Sequence, residues 1–266
     1  MNHPFTQTSE MKPTTKLHRT IRKRVEKAIY DFNMIEAGDR ILIGVSGGSD
    51  SLSLLKMIHD GLALVTKNFS YIVAHIDMGF KSPSPKLWET LETHFQSIGV
   101  AYEIIHTNIA KLALDPKAKK NPCFICSHNR RRKIYELAHK LGCNKIAYGH
   151  HKDDIVETLL INILYGRRIE AMSPIQEVFQ GRMHIIRPFT YVEEELIKKF
   201  AGESDLPVAP KLCKMDGNSR RDTVKQMIAQ IQAKEKNQNI RENIFKSFRY
   251  VNMDIPFPTT DKSDKK

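Results

Sequence analysis

A short polar loop between two apolar stretches is the first part of the sequence that could do chemistry. It follows an apolar run at 40–45 and consists of Ser46, Gly47, Gly48, Ser49, Asp50 and Ser51. Glycines let backbone N–H groups approach an anion closely, serines add hydroxyl donors, and the start of the next helix carries a positive dipole end. The loop therefore predicts a phosphate site, although a capped turn without a ligand fits the same residues.

A second group of reactive side chains lies in the segment GHHKDDIVETLL, residues 149–160. Asp153 and Asp154 fall in the first turn of a predicted helix, where carboxylates complement the helix dipole. Carboxylates are also the ligands that Mg²⁺ prefers beside phosphate oxygens. His150 and His151 precede the helix and could contact a phosphate or RNA, or be structural. This segment alone leaves both interpretations open.

Three of the four cysteines have a spacing that suggests metal or sulfur chemistry. Cys123 and Cys126 form a Cys-x-x-Cys pair before a run of arginines, and Cys213 lies far downstream. With an added histidine, three thiolates could make a structural zinc site, and a redox disulfide is a further alternative. Three cysteines also fit a 4Fe-4S cluster with one open iron. Cys143 lies in an apolar stretch and is expected to be buried packing.

The charge balance favours an anionic partner, because the 266 residues carry a formal net charge of +12. The basic residues form three blocks, which include Arg22 and Lys23, then Arg130, Arg131 and Arg132, and last the stretch 211–225. Clustered cations are typical of proteins that bind a nucleic acid backbone or a phosphorylated small molecule. Each block alone could also be a solvated charged surface.

The overall composition is that of a globular protein, with 41% hydrophobic and 27% charged residues. No stretch approaches the roughly 20 consecutive apolar residues of a membrane-spanning helix, and the polar N-terminus has no signal-peptide pattern. Four cysteines are too few for a disulfide scaffold. We therefore expect a cytoplasmic protein without a membrane partner.

The elements that must position these side chains alternate along the chain. Strands are expected at 40–45, 71–76, 101–106, 144–148 and 183–189, and helices at 17–32, 50–60, 84–98, 125–141 and 153–165. Such alternation predicts an α/β fold, a doubly wound and mainly parallel five-stranded sheet with an N-terminal basic helix and a helical C-terminal extension. Ligands bind such sheets at the carboxyl ends of the strands, where both polar segments fall.

The motifs occur in a fixed order over about residues 15–235: Ser-Gly-Gly-x-Asp-Ser, Cys-x-x-Cys followed by arginines, Gly-His-His-x-Asp-Asp, and a distal cysteine. In this the chain resembles the tRNA 2-thiocytidine synthetase family of PP-loop ATP pyrophosphatases. The segments LYGRRIEAMSP and IIRPFTYVEEELI also look like that family's. The resemblance implies an adenine nucleotide alpha hydrolase-like fold and ATP-dependent replacement of the C2 oxygen of cytidine 32 in tRNA by sulfur, through an adenylated intermediate.

The resemblance also implies Mg²⁺, a 4Fe-4S cluster, a homodimer and a sulfur donor such as a cysteine desulfurase. Residues 1–13 are expected to be disordered, 14–235 to form the PP-loop catalytic domain with helical appendages, and 236–266 to form a helical or disordered tail. Catalytic roles are expected for Asp50, Cys123 and Cys126, and cluster ligation for the three cysteines Cys123, Cys126 and Cys213. ATP contacts are expected from residues 46–51 and from Ala74, Asp77, Gly149, His150 and Asp154. RNA contacts are expected from Arg22, Lys23, Arg130, Arg131 and Arg132.

Two positions depart from the family pattern. Ser49 stands where that family usually has Lys, so one phosphate contact must come from elsewhere, such as Lys56 or Arg187. Cys213 is single where many members have two cysteines, so it must be the third ligand of a cluster.

The alternatives to cytidine thiolation are a thiouridine-forming relative, a lysidine synthase, which has no use for the three cysteines, and a zinc-stabilised RNA-binding module without catalysis.

Overall fold

The computed structural model describes residues 5–7, 15–62, 68–80, 86–115, 117, 119, 121–210 and 219–251. Its strands are β1 (Thr6–Gln7), β2 (Arg40–Gly44), β3 (Ser70–Asp77), β4 (Tyr102–His106), β5 (Lys145–Ala147), β6 (Ile175–Val178) and β7 (Met183–Ile186). Its α-helices are α1 (Lys16–Asp31), α2 (Ser49–His59), α3 (Leu87–Ser97), α4 (Ile109–Ala113), α5 (Pro122–Lys140), α6 (Lys152–Gly166), α7 (Glu194–Glu203), α8 (Arg220–Lys234) and α9 (Ile240–Ser247), and Pro188–Tyr191 forms a 3-10 helix. The predicted α/β class is confirmed.

Five strands form a parallel sheet in the order β4-β3-β2-β5-β7, which is the order of a doubly wound fold. These are the five strands that the sequence predicts. The direction of winding reverses between β2 and β5, and such a reversal opens a crevice where ligands bind. Two short strands extend the described sheet to seven, because β1 pairs antiparallel with β3 and β6 pairs antiparallel with β7.

The alternation of side chains in β2 divides the core into two layers. Ile41 and Ile43 pack in a layer with α1, α2, α3 and α7, whereas Leu42 packs in the layer of α4 and α5. All three side chains are fully buried. Because helices cover both faces, β2 is a continuous apolar run, and its carboxyl end emerges between the two layers.

The structure differs from the expectations at a few boundaries. β7 ends at Ile186 and not at 189, because Pro188 lacks a backbone N–H for pairing and begins the 3-10 helix. β6 and α4 are absent from the prediction, since each is only four or five residues long. β1 lies within residues 1–13, for which we expected disorder.

The C-terminal extension is helical, as predicted. Helices α8 and α9 belong to a segment that we call the C-terminal hairpin, residues 219–251, and it packs against α6. Its contact with α6 is apolar, with Val156, Val224 and Ile228 buried and with Leu160, Ile161, Ile240, Ile244 and Phe245 around them. Within the described ranges, every helix is too short or too polar to cross a membrane.

Candidate active site

A cleft of about 890 Å³ opens at the carboxyl ends of β2, β3, β5 and β7, where the winding of the sheet reverses. Most of the predicted ATP-binding residues line it: Ser46, Gly47, Gly48, Asp50, Ser51, Ala74, Asp77, Gly149, His150 and Asp154. Ser127, Arg130 and Arg131 of α5 form part of the wall. The structure therefore brings both polar segments and the basic helix to one cleft.

The loop between β2 and α2 is held by its own hydroxyls. The Ser51 Oγ accepts a hydrogen bond from the Ser46 N–H and donates one to the Gly48 carbonyl, both at 3.1 Å. Gly47 has a φ of +90°, which favours glycine. A Cβ added at Gly48 would lie 3.6 Å from the Ser46 Oγ, its nearest neighbour among the described residues, so none of these residues requires glycine there. The open face at Gly48 is what close approach of a phosphate to the backbone needs.

Ser49 does not contribute to the cleft lining, although five other residues of its loop do. Its hydroxyl donates to the Asp50 Oδ1 at 2.9 Å. Of the two suggested substitutes for a cation at position 49, Lys56 pairs with Asp60 at 2.9 Å and does not line the cleft, whereas Arg187 does. The structure therefore favours Arg187 over Lys56.

Gly149 joins the two polar segments. A Cβ at this position would lie 2.7 Å from the carbonyl carbon and oxygen of Asp50 and 2.9 Å from the Ser51 nitrogen. Backbone atoms cannot yield as a flexible side chain can, so only glycine fits. The loop before α6 thus rests directly on the first turn of α2, which fixes the distance between Asp50 and the residues of α6.

Asp50 and Asp154 face each other across His151. The His151 Nε2 lies 3.9 Å from the Asp50 Oδ2 and 3.5 Å from the Asp154 Oδ2. Asp154 Oδ2 also accepts the His151 backbone N–H at 3.0 Å, which closes a capping box at the start of α6. Burial raises the pKa of Asp50, and the neighbouring Asp154 adds to the effect, while His151 and the Ser49 hydroxyl oppose it.

Asp153 has a different environment from Asp154. Its Oδ1 pairs with the Arg241 Nε at 2.9 Å, and its Oδ2 accepts the Glu194 N–H at 2.8 Å. Asp153 therefore ties α6 to α7 and to the C-terminal hairpin, and it is not part of the cleft lining. The sequence could not separate the two aspartates.

Three buried polar atoms on the β5–β7 side of the cleft have no hydrogen-bond partner among the described residues: the Tyr148 hydroxyl, the His150 Nδ1 and the Arg187 Nε. Burial lowers the pKa of His150 to about 4, so its ring is neutral at physiological pH. The Arg187 guanidinium is fixed by bonds to the Ser173 carbonyl and, at 3.2 Å, to the Gln176 Oε1. Buried polar groups without partners are rare in folded proteins, and their clustering here fits a site for a polar ligand.

The β3 side of the cleft has a separate set of contacts. The buried His75 Nδ1–H donates to the Val45 carbonyl at 2.8 Å and ties the loop to β3. Asp77 Oδ2 lies 3.1 Å from the His106 Nδ1, whose ring packs edge-on against Trp88 at 4.8 Å between centroids. Trp88 lines the cleft and is the only tryptophan in the sequence, but no motif pointed to it.

The Cys-x-x-Cys pair lies in the first turn of α5. Asn121 caps the helix by accepting the Cys123 N–H at 2.8 Å, and Cys123 is exposed while Cys126 is half-buried. Residues three apart on a helix lie on one face and sulfur is a favoured ligand of soft metals, so the pair suits a thiolate-bound metal. Cys126 is followed directly by Ser127, which lines the cleft.

The third expected ligand, Cys213, lies outside the described residues. Within the described part of the chain, no three His, Cys, Asp or Glu side chains are grouped so that they could hold a metal ion. Cys143 is buried, and burial raises the pKa of its thiol to about 11, as expected for packing.

The basic residues divide between the two layers. Arg130 and Arg131 line the cleft, whereas Arg132 pairs with Glu136 at 2.8 Å. Arg22 and Lys23 belong to α1, which packs on the opposite side of the sheet from α5. The structure does not bring these two residues to the cleft.

Comparisons with known proteins agree with this geometry. The family described as PP-loop domain matches residues 14–243. The tRNA-cytidine(32) 2-sulfurtransferase of Pectobacterium carotovorum subsp. carotovorum (strain PC1) is 38% identical over 216 residues, which are 80% of this chain and 68% of that protein. The enzyme of the same name from Nitrosospira multiformis is 35% identical over 246 residues, 91% of this chain and 80% of that protein.

A solved structure shows the same fold at low sequence identity. It is the U34-tRNA thiolase NcsA from Methanococcus maripaludis with its 4Fe-4S cluster, with a TM-score of 0.72 at 17% identity, covering 88% of this chain and 78% of that chain. The sequence matches and the cleft built on the loop at 46–51 lead to the same result: the chain belongs to the PP-loop domain family, together with its tRNA-cytidine(32) 2-sulfurtransferase relatives.

Proposed function

We propose that the protein is an ATP-dependent tRNA sulfurtransferase that replaces the C2 oxygen of cytidine 32 by sulfur. One observation carries the proposal. The phosphate loop at 46–51 and the helix that bears Cys123 and Cys126 contribute to the walls of one cleft, where Arg130 and Arg131 face it from α5. Neither cysteine is itself part of the cleft lining, but Ser127, directly after Cys126, is. A thiolate-bound group on this pair would therefore lie beside a nucleotide in the cleft, as a two-step activation and sulfur transfer requires.

In the first step, the cytosine O2 attacks the α-phosphorus of ATP. The bond to the bridging oxygen breaks, and pyrophosphate leaves with the electron pair. The backbone at Gly48, the start of α2 and the Arg187 guanidinium are placed to stabilise the negative charge that develops. Adenylation turns the C2 oxygen into a good leaving group. In the second step a sulfide-level sulfur atom bonds to C2, the C2–oxygen bond breaks, and AMP leaves with that oxygen and the electron pair.

The two sides of the cleft suggest where each substrate lies. We place the adenine on the β3 side, beside Ala74 and Asp77, as the family resemblance implies. We place the flipped cytosine on the β5–β7 side, where Tyr148, His150 and Arg187 offer polar atoms without partners. A base must leave its stack before chemistry can occur at C2.

Two inorganic groups belong to the proposal. Asp50 and Asp154 in the cleft would hold Mg²⁺ together with phosphate oxygens, and the ion would neutralise the phosphates. A 4Fe-4S cluster on Cys123, Cys126 and Cys213 would supply the sulfur atom when bound. Pro210 lines the cleft, and Cys213 follows it by three residues in the sequence.

Further parts of the proposal rest on the family resemblance and on charge. These are a homodimer, a cytoplasmic location, a sulfur donor such as a cysteine desulfurase, a catalytic domain at 14–235, and RNA contacts from Arg22, Lys23, Arg130, Arg131 and Arg132. The net charge of +12 supports a polyanionic substrate.

The proposal is tested by mass spectrometry of tRNA nucleosides from cells that lack the gene and carry a plasmid copy. We expect 2-thiocytidine with the wild type and with Cys143→Ser, whose thiol is buried packing, and none with Cys126→Ser. Persistence of 2-thiocytidine in the deletion strain would exclude this substrate. The same spectra would reveal a loss of thiouridine or lysidine, the products of the alternative enzymes, and a colourless zinc protein after anaerobic purification would contradict the cluster.

A further inference from the structure

We propose that Arg221, at the start of the C-terminal hairpin, is a positioning residue of the cleft that holds Asp154 toward the phosphate loop. The inference rests on the proposed function only in taking the cleft as the ATP site. It adds a part of the chain, after residue 218, to the catalytic machinery. The sequence analysis placed this residue only in the basic stretch 211–225 and gave it no role in the cleft.

The contacts of Arg221 are specific to its position. Its Nη1 donates to the Asp154 Oδ1 at 2.9 Å, and its Nε lies 3.4 Å from the Glu157 Oε2, one turn further along α6. The side chain lines the cleft. The guanidinium therefore bridges a cleft carboxylate and a buried one, in a geometry that a single-point cation such as Lys would not reproduce.

The other oxygen of Asp154 is already engaged. Oδ2 accepts the His151 N–H at 3.0 Å, so Asp154 is fixed at both oxygens, once by its own helix and once by Arg221. Without Arg221, the Asp154 carboxylate would keep only its hydrogen bond from the His151 N–H. It would face Asp50 across His151 without the positive charge of the guanidinium. We expect it to rotate or lose its orientation toward the cleft.

The hairpin that carries Arg221 is firmly attached to α6. Val224 and Ile228 of α8 are buried against Val156 of α6. A packed apolar contact fixes the helix that bears Arg221, so the guanidinium does not depend on a mobile loop for its placement.

A matched control lies on the same hairpin. Arg241 of α9 pairs with Asp153, the neighbour of Asp154, at the same distance of 2.9 Å, but it does not line the cleft. Both arginines attach the hairpin to the first turn of α6. A merely structural role would make their removal equivalent, whereas a positioning role makes only Arg221 affect the chemistry.

The test compares Arg221→Gln with Arg241→Gln in the full chain. Melting temperature, Mg²⁺–ATP binding by calorimetry and tRNA-dependent pyrophosphate release are measured for both. We expect the two variants to have similar melting temperatures. For Arg221→Gln alone we expect Mg²⁺–ATP affinity or kcat to fall by about 10- to 100-fold, because removal of a group that orients a metal-site carboxylate has an effect of this size. For Arg221→Ala, added guanidinium ion at non-denaturing concentration should restore part of the loss.

Two results would overturn the inference: equal effects of both variants on nucleotide binding and rate, or full activity of Arg221→Gln. A failure of the proposed function gives a different pattern. The wild type would then show no pyrophosphate release with tRNA, while calorimetry would still separate the two variants if Arg221 positions Asp154.

Discussion

At the scale of single residues, three glycines of the cleft have three different reasons to be glycine. Gly47 has a positive φ, Gly149 has no space beside the Asp50 backbone, and Gly48 has space that no described residue fills and that we assign to a ligand. The distinction between steric need and ligand need yields a direct test of the phosphate site.

We predict that Gly48→Ala folds normally but binds ATP at least about tenfold more weakly. Among the described residues, the new methyl would meet no atom closer than 3.6 Å, and the φ of −82° suits alanine, whereas the Cβ would occupy the approach of a phosphate. Gly149→Ala is the control, since its Cβ would clash with backbone at 2.7 Å and should lower the melting temperature. ATP binding by calorimetry and thermal unfolding measure both. Equal ATP affinity of Gly48→Ala and the wild type would contradict a phosphate at this loop.

At the scale of secondary-structure elements, α6 is stabilised from several sides but carries a buried carboxylate. Glu157 is 1% exposed, and its carboxylate oxygens accept no hydrogen bond from the described residues. The Arg221 Nε lies 3.4 Å from its Oε2, and the Lys225 Nζ lies 3.7 Å from its Oε1. Burial raises the pKa of Glu157 to about 7. In the folded protein the Glu157 carboxyl group therefore keeps its proton at pH values at which the same group in the unfolded chain, with an ordinary pKa of about 4.3, has lost it.

The sign of the effect follows from this linkage. The unfolded chain holds fewer protons than the folded one between about pH 4.3 and 7, so stability falls as the pH rises through that window and stays lower above it. We predict that Glu157→Gln raises the melting temperature at alkaline pH and changes it little at acidic pH. Thermal unfolding across this range measures the difference, and a shift that does not vary with pH would refute it.

Glu194 of α7 gives the opposite control. Burial opposes its ionisation, but hydrogen bonds from Lys198 and Lys225 lower its pKa to about 2. Its contribution to stability is present above the unfolded pKa and is lost as the pH falls through the folded one. Glu194→Gln should therefore lower the melting temperature at neutral pH, where Glu157→Gln raises it.

At the scale of the whole molecule, two of the three basic blocks lie on opposite layers of the sheet. Arg130 and Arg131 reach the cleft, whereas Arg22 and Lys23 belong to α1 on the other layer. A large polyanion could contact both, but of these two blocks only the one on α5 lines the cleft in which we place the reacting base. The two blocks should therefore differ in what their removal changes.

We predict that replacing Arg130 and Arg131 by Gln lowers both tRNA affinity and the thiolation rate at saturating tRNA, whereas replacing Arg22 and Lys23 by Gln lowers affinity alone. Each lost phosphate contact should reduce the slope of log affinity against log salt by about one. Filter binding at several salt concentrations and single-turnover thiolation measure these effects. Unchanged salt slopes in both variants would remove both blocks from the RNA interface.

The sequence predicted those features that local patterns determine. The alternation of apolar strand segments with helical segments predicted the central parallel sheet, which the structure confirms, and the loop at 46–51 predicted a phosphate site, which stays a prediction. The pairing of Arg221 with Asp154 joins residues 67 positions apart and depends on how the hairpin packs, so no local pattern contains it. The strand β6 was missed because its two central residues are exposed and it has too few residues for a periodic signal.

Trp88 has a practical consequence for work on this protein. It is the chain's single indole, it lines the cleft, and its ring contacts His106 edge-on. Intrinsic fluorescence excited at the red edge of protein absorption therefore originates at one known point, the β3 wall where we place the adenine. The molecule thus carries its own optical probe of ligand entry, without a label or an engineered residue.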